Sequence, residues 1–225
     1  SITSFPDSID INLQVESLKH SSIDVFENVN IAVNVFRDSI YTNILWKNYD
    51  SLLNAGNFSF SSSFYERETH KIPVIKNRIY ESQIIVKNNI WEIGETPITI
   101  DTTNINIEKF KLVHNNQSLY VNGEISSDPN KTLGFLINDV DVSIVNSFIK
   151  RSGYNFSGIL TGNGRVANLY TTPSIRTSMS INNFAINDED FGRFDLSGLF
   201  DANTGGFIVD GTNKYLNIRG KYKPE

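Results

Sequence analysis

Leu119-Tyr-Val-Asn-Gly-Glu-Ile125 decides the fold of this 225-residue chain. Apolar residues recur at every second position. Side chains alternate between the two faces of an extended strand, so Leu119, Val121, Gly123 and Ile125 share one face while Tyr120, Asn122 and Glu124 share the other. The same phrase returns as Tyr154-Asn-Phe-Ser-Gly-Ile-Leu160, Phe194-Asp-Leu-Ser-Gly-Leu-Phe200 and Leu216-Asn-Ile-Arg-Gly-Lys-Tyr222. In every copy the glycine falls on the apolar face. Glycine weakens a strand interior unless a bend, or the close approach of a backbone or ligand, needs the missing side chain. The repetition therefore reads as a sheet built to curl.

A longer repeat encloses two of these copies. Ile107-Glu-Lys-Phe-Lys-Leu112 leads through Asn115 and Asn116 into Leu119–Ile125, and Ile181-Asn-Asn-Phe-Ala-Ile186 leads through a turn at Asn187–Asp190 into Phe194–Phe200. Each unit reads as two antiparallel strands. A hairpin cannot bury its apolar face alone, so stacked neighbours must share a continuous apolar surface. The expected class is all-β, an elongated antiparallel sheet, with an ordinary β-sandwich as the competing architecture.

Earlier in the chain, Ile9-Asp-Ile-Asn-Leu-Gln-Val15, Val29-Asn-Ile-Ala-Val-Asn-Val35 and Asn57–Phe60 alternate as half-buried strands do. Residues 65–77 are charged and contain Pro73, which makes them the candidate break in what otherwise reads as one β segment over 1–225. Strands resume at Ile84–Val86, Ile90–Ile93 and Ile98–Ile100, with Gly94–Pro97 as a turn, and Asp128-Pro-Asn130 marks another turn. One segment breaks the rhythm. Val142, Val145, Phe148 and Ile149 recur at helical spacing, Asp141 or Ser143 can cap the start, Lys150 and Arg151 suit the last turn, and Gly153 can end it. The pattern predicts one short α-helix over 143–151, serving as a plug on a sheet edge or groove end, with a membrane-surface helix as the alternative.

Composition narrows the function. The net charge of −5 argues against nucleic acid as a partner, because phosphate binding on that scale needs a basic face. Absence of cysteine excludes disulfides, thiolate catalysis and Cys-ligated zinc. The chain begins at Ser1 and contains no stretch long and apolar enough for a membrane span, so it reads as a piece of a longer protein. Asparagine makes up about one residue in eight, which reads as compositional bias as much as structure, and sequons such as Asn57-Phe-Ser59 follow by chance.

No chemistry-bearing constellation stands out. His20, His70 and His114 lie far apart, without a second ligand at metal spacing, and Asp188-Glu-Asp190 reads as a solvated turn rather than a calcium loop. No serine occupies a nucleophile elbow, and Gly162-Asn-Gly164 is not a phosphate loop. The sequence reads as a non-enzyme with no catalytic residue, metal or cofactor.

The run Ile90-Trp-Glu-Ile-Gly-Glu-Thr-Pro-Ile-Thr-Ile100, the Ile107–Ile125 unit, the helical segment with Gly158-Ile-Leu-Thr-Gly-Asn-Gly164, and Ala167-Asn-Leu-Tyr-Thr-Thr-Pro173 together resemble the TamB family of the AsmA-like superfamily. The likeness covers roughly 84–213 and lies in the order of degenerate motifs more than in any single one. It implies a periplasmic protein, anchored in the inner membrane of a diderm bacterium, whose sheet curls into a taco-like hydrophobic groove. It implies phospholipid acyl chains as ligand, a BamA-type outer-membrane barrel as partner through parts outside this chain, and a role in phospholipid transport or in outer-membrane protein assembly.

On that reading the groove is lined by Leu119, Val121, Gly123, Ile125, Ile175, Met179, Ile181, Phe184, Phe194, Leu196, Gly198 and Phe200, whose parities are expected to agree within each strand. Asn122, Arg176, Ser178, Asp195 and Ser197 are expected to face water. Two other readings use the same residues. In a closed β-sandwich that binds glycan or protein they form a dry core, and Trp46, Trp91 and Tyr170 would stack on the surface. In a chaperone groove, exposed edges pair with client strands.

Overall fold

A computed structural model describes residues 8–20, 23–48, 53–67, 71–126, 128, 130–147, 153–167, 174–201, 205–214 and 217–222. The alternating sequence folds almost entirely as antiparallel strands, in two compact units, Ser1–Thr102 and Thr103–Glu225.

The first unit holds β1 (Ser8–His20), β2 (Ile23–Phe36), β3 (Ser39–Asn48), β4 (Asn54–Arg67), β5 (Ile72–Ile79), β6 (Ser82–Val86), β7 (Asn89–Ile93) and β8 (Thr96–Ile100). Within the expected break at 65–77, the described residues on either side of 68–70 belong to paired strands: Tyr65 opposes Val74 and Glu66 opposes Pro73 across β4 and β5. The compact units part at Thr102/Thr103. Pro73 is tolerated because β5 pairs with β8 only from Ile75 onward, which leaves the strand an edge at Pro73.

Gly94–Pro97 is likewise not a reversal. β5–β6 and β7–β8 are two bent strands of one hairpin, for the register Ile79↔Thr96 continues unshifted as Ser82↔Ile93. The bends leave carbonyls without ladder partners, and two buried hydroxyls take them up. Ser82 Oγ donates to the Tyr80 carbonyl at 2.8 Å and Thr96 Oγ1 to the Gly94 carbonyl at 3.1 Å.

The second unit is a meander in which each strand pairs with the next: β9 (Asn104–His114), β10 (Gln117–Ser126), β11 (Thr132–Asp141), β12 (Phe156–Ala167), β13 (Ser174–Ile186), β14 (Glu189–Asp201), β15 (Gly206–Thr212) and β16 (Asn217–Tyr222). The two long repeats are the β9–β10 and β13–β14 hairpins. The second turn is tighter than expected, only Asn187-Asp188, with φ of 50° and 68° at the two positions. Both residues being left-handed matches a type I′ turn, whose twist suits the flanking strands, and Asn and Asp tolerate that region best after glycine.

Asn187 also ties this turn to the neighbouring segment, accepting from Asn155 N–H at 2.7 Å and donating to the Gly153 carbonyl at 3.2 Å. Asn187→Ala loses both the left-handed tolerance and the two bonds, with an expected cost of about 2–3 kcal/mol, whereas Asn187→Gly loses only the bonds and should cost about half as much. Urea unfolding of the two variants checks the order.

Four bulges shape the described part of the second unit, one of them at Phe191, the extra residue between Asp190 and Gly192 on β14. Lys109, Asp139 and Asn183, with φ of 56°, 48° and 51°, each insert an extra residue where the pairing register shifts. Asn122 Oδ1 accepts the Lys109 N–H at 3.0 Å and Thr161 Oγ1 the Asp139 N–H at 3.3 Å, so two of the displaced donors remain bonded. Bulges raise local twist and bend the strand. Cα atoms of β10 and β12, on either side of β11, approach within 8 Å, closer than the roughly 9.5 Å of two flat strand spacings. The sheet bends sharply there.

The expected α-helix over 143–151 is a 3₁₀ turn, Val142–Ser147, and Phe148–Arg151 lie outside the described residues. Asp141 Oδ1 caps it by accepting Ser143 N–H at 2.8 Å. Asn146 then holds it against the start of β12, its side chain accepting Phe156 N–H at 2.9 Å and donating to the Phe156 carbonyl at 2.8 Å. Such a clamp, at the fifth residue of a six-residue segment, favours the tighter i→i+3 winding over a continued α-helix. No helix among the described residues is long and apolar enough to cross a membrane.

Candidate functional site

Directly opposed residues of an antiparallel pair lie on the same face, so the register traces one face of the second unit from strand to strand. Leu119 lies between Leu112 and Ile137, and Val121 between Phe110 and Phe135. Gly123 and Ile125 oppose Ile107 and Ile105. The face continues from Ile137 to Gly162, on to Met179, then to Leu196. Beside this row, Leu160 opposes Ile181 and Ile181 opposes Phe194, while Val166 opposes Ile175 and Thr177 opposes Gly198. Phe200 follows Gly198 two residues on.

Phe184 reaches the same face by a different route. It lies three residues after Ile181, so strict alternation would turn it away; the left-handed residue Asn183 supplies the extra residue that turns it back, opposite Gly192. Ile107-Glu-Lys109-Phe110 and Ile137-Asn-Asp139-Val140 repeat the device. The expectation of agreeing parities fails for Phe184, and a bulge makes up the difference.

All twelve residues named from the sequence thus share one face. Asn122, Arg176, Ser178, Asp195 and Ser197 are exposed on the other. Sequence reasoning left out Phe110, Phe135, Ile137 and Leu160; in Leu133-Gly-Phe-Leu-Ile137 the out-of-phase Leu136 blurs the alternation.

Packing on this face is lateral. Phe156, Phe184 and Phe194 form a row, with ring centroids 6.3 Å apart for the first pair and 5.5 Å for the second, and Phe191 joins at 6.0 Å from Phe184. Ile181 and Phe194 are 8% and 7% exposed, whereas most of the other members are half-buried. Glycines make room for the rings. A Cβ on Gly164 would run into the Phe135 ring, and one on Gly211 would lie 2.7 Å from two atoms of the Phe194 ring. At Gly164 and Gly211 the close approach is an aromatic side chain of a neighbouring strand, whereas at Gly123 it is the backbone of the paired strand.

The first unit has an apolar face of the same kind. Leu13 opposes Ile31, Ile31 opposes Ile44, and Ile44 opposes Phe58. Trp46 opposes Gly56, which opposes Ile84, which opposes Trp91. Along edge strand β1 the face stays open to solvent, with Ile9 49%, Ile11 51% and Leu13 51% exposed. Trp91 is 4% exposed and Trp46 lies over Gly56 with Phe26 edge-on at 5.1 Å, so neither offers the surface platform that glycan stacking would use. Tyr170 lies outside the described residues.

An arrangement of aliphatic and aromatic groups on one face can hold apolar chains by area burial, worth about 0.8 kcal/mol per CH₂. No protein-family model matches the chain, nor does any curated protein or solved structure.

Proposed function

We propose that the chain is a length of hydrophobic track along which phospholipid acyl chains move between membranes, within a longer periplasmic protein of TamB-like type. The observation that carries this reading is the register-aligned apolar face of β9–β15, half-buried by its own lateral packing. Acyl transfer along such a face needs no catalytic group, since each CH₂ leaving one apolar contact enters the next at nearly equal free energy. Anchoring in the inner membrane, and contact with a BamA-type barrel, fall to parts of the parent outside this chain. A share in outer-membrane protein assembly is compatible with the same surface, a client strand replacing the acyl chain.

The closed-sandwich reading is the weaker one. A dry core would exclude water from every member of the face, yet Leu119, Val121, Met179 and Leu196 are only half-buried.

An unpaired charge on an apolar path costs several kcal/mol, while the same charge on the polar face is nearly silent. In the parent protein, Val121→Asp, Met179→Asp and Leu196→Arg should each lower photo-crosslinking of lipid to the face at least about tenfold and weaken the outer-membrane barrier, with Asn122→Asp near wild type. Normally abundant, folded variants on the apolar face that still crosslink lipid and sustain the barrier would remove the basis for the track.

A further inference from the structure

The second unit carries a feature on its opposite, polar face that the track does not use. Arg165 on β12 and Arg176 on β13 are directly opposed across the strand pair. Like charges in that position repel, so the pairing destabilises the sheet unless something lies between them. The chain has acidic residues in excess and uses them on most of its other described arginines: Arg67 pairs with Asp101, Arg78 with Glu95, Arg193 with Asp195 and Arg219 with Asp210, while Arg37 stacks over the Phe36 ring. The Arg219 guanidinium, hydrogen-bonded to Asp210, holds that carboxyl below its ordinary range. Arg165 and Arg176 make no ion pair or hydrogen bond among the described residues.

They also border a concavity of about 420 Å³ whose wall carries Thr132, Asn163, Ser174 and Ser178 and no acidic side chain. We infer that Arg165 and Arg176 form an oxyanion site that takes a phosphate group between the two guanidinium forks. Arginine presents paired N–H donors that match two oxygens at once, and two forks from opposite strands serve a tetrahedral anion with three or four oxygens better than a planar carboxylate with two. Hydroxyls of Ser178 and Thr132 and the Asn163 amide supply the remaining donors at the rim. A bound phosphate also removes the cross-strand repulsion, so binding and stability of this strand pair are linked. The site lies on the face opposite the apolar row and does not rest on the track reading.

The test titrates the 225-residue chain with inorganic phosphate in a phosphate-free buffer of low ionic strength, following heat of binding and melting temperature together. Wild type should bind, and its melting temperature should rise with phosphate. Arg165→Gln and Arg176→Gln should each weaken binding at least about tenfold and abolish the phosphate-dependent rise. Without phosphate the Gln variants should melt no lower than wild type, which shows that they fold. Arg193→Gln, whose partner is Asp195, should bind as wild type does.

The double variant Arg165→Lys with Arg176→Lys keeps both charges and loses both forks, so it too should bind weakly. Equal phosphate binding by the double Lys variant, or by either Gln variant, would overturn the site in favour of diffuse charge; so would a wild type that phosphate leaves unchanged. Vesicles of phosphatidylglycerol against phosphatidylcholine separate the sources of the phosphate. Arginine-dependent capture by the anionic vesicles assigns a lipid headgroup, and solution binding without capture assigns free phosphate.

Discussion

Gly123→Val is expected to destabilise the second unit by more than about 3 kcal/mol, and so to lower the melting temperature by upwards of about 8 °C. Gly123 sits at φ 121°, a region that side chains rarely adopt, and a Cβ there would collide with the backbone carbonyl of Thr132 on the paired strand. Backbone strain and a clash with an atom that cannot rotate away act together. Gly220 occupies the same motif position in its own copy, yet a Cβ on it would meet only the Val209 carbonyl at 3.9 Å, an ordinary contact. Gly220→Ala should therefore stay within about 0.5 kcal/mol of wild type. Calorimetric melting of the two variants side by side reads the contrast, and equal melting temperatures would contradict the positive-φ explanation.

Phe194→Ala should cost about 3–5 kcal/mol, the usual range for emptying a buried aromatic site. The ring is 7% exposed, 5.5 Å from Phe184 between centroids, and lies over Gly211. That last contact yields a sharper test. With the ring present, Gly211→Ala places a methyl group 2.7 Å from two ring carbons and should be strongly destabilising; with the ring gone, the same methyl fills part of the space. A double-mutant cycle should return a coupling of about 1–3 kcal/mol, the pair being less harmful together than the two single losses sum to. Additive losses in denaturant titrations would mean that the ring does not rest on this glycine.

Much of the fold could be read from local pattern because the information is local. Alternation along Leu119–Ile125 and Phe194–Phe200 assigns faces within a strand, since successive side chains have nowhere else to point. Asn115-Asn116 and Asn187-Asp188 announce hairpins because few residues tolerate the left-handed backbone found at Asn115, Asn187 and Asp188, and the abundance of asparagine finds part of its use there. The twelve candidate residues follow from these two signals, together with the rule that opposed residues share a face.

Other features needed the partner strand. A left-handed residue within a strand is unfavourable by itself, so Lys109, Asp139 and Asn183 look like ordinary strand positions in isolation; acceptors from neighbouring strands, Asn122 for Lys109 and Thr161 for Asp139, offset the cost. The segment after Asp141 has helical periodicity, yet Asn146 bonded to the Phe156 backbone winds it as a 3₁₀ turn. Gly94–Pro97 carries turn residues, yet the buried hydroxyls of Ser82 and Thr96 let the hairpin run on through it. The meeting of Arg165 with Arg176 depends on the register between β12 and β13, which neither strand specifies alone. Sequence by itself determined which side each strand turns to the apolar surface, because that depends on spacing along one chain. Tertiary structure decided where the strands bulge, bend and bring charges together, because those outcomes depend on hydrogen-bond partners and neighbours far away in the sequence.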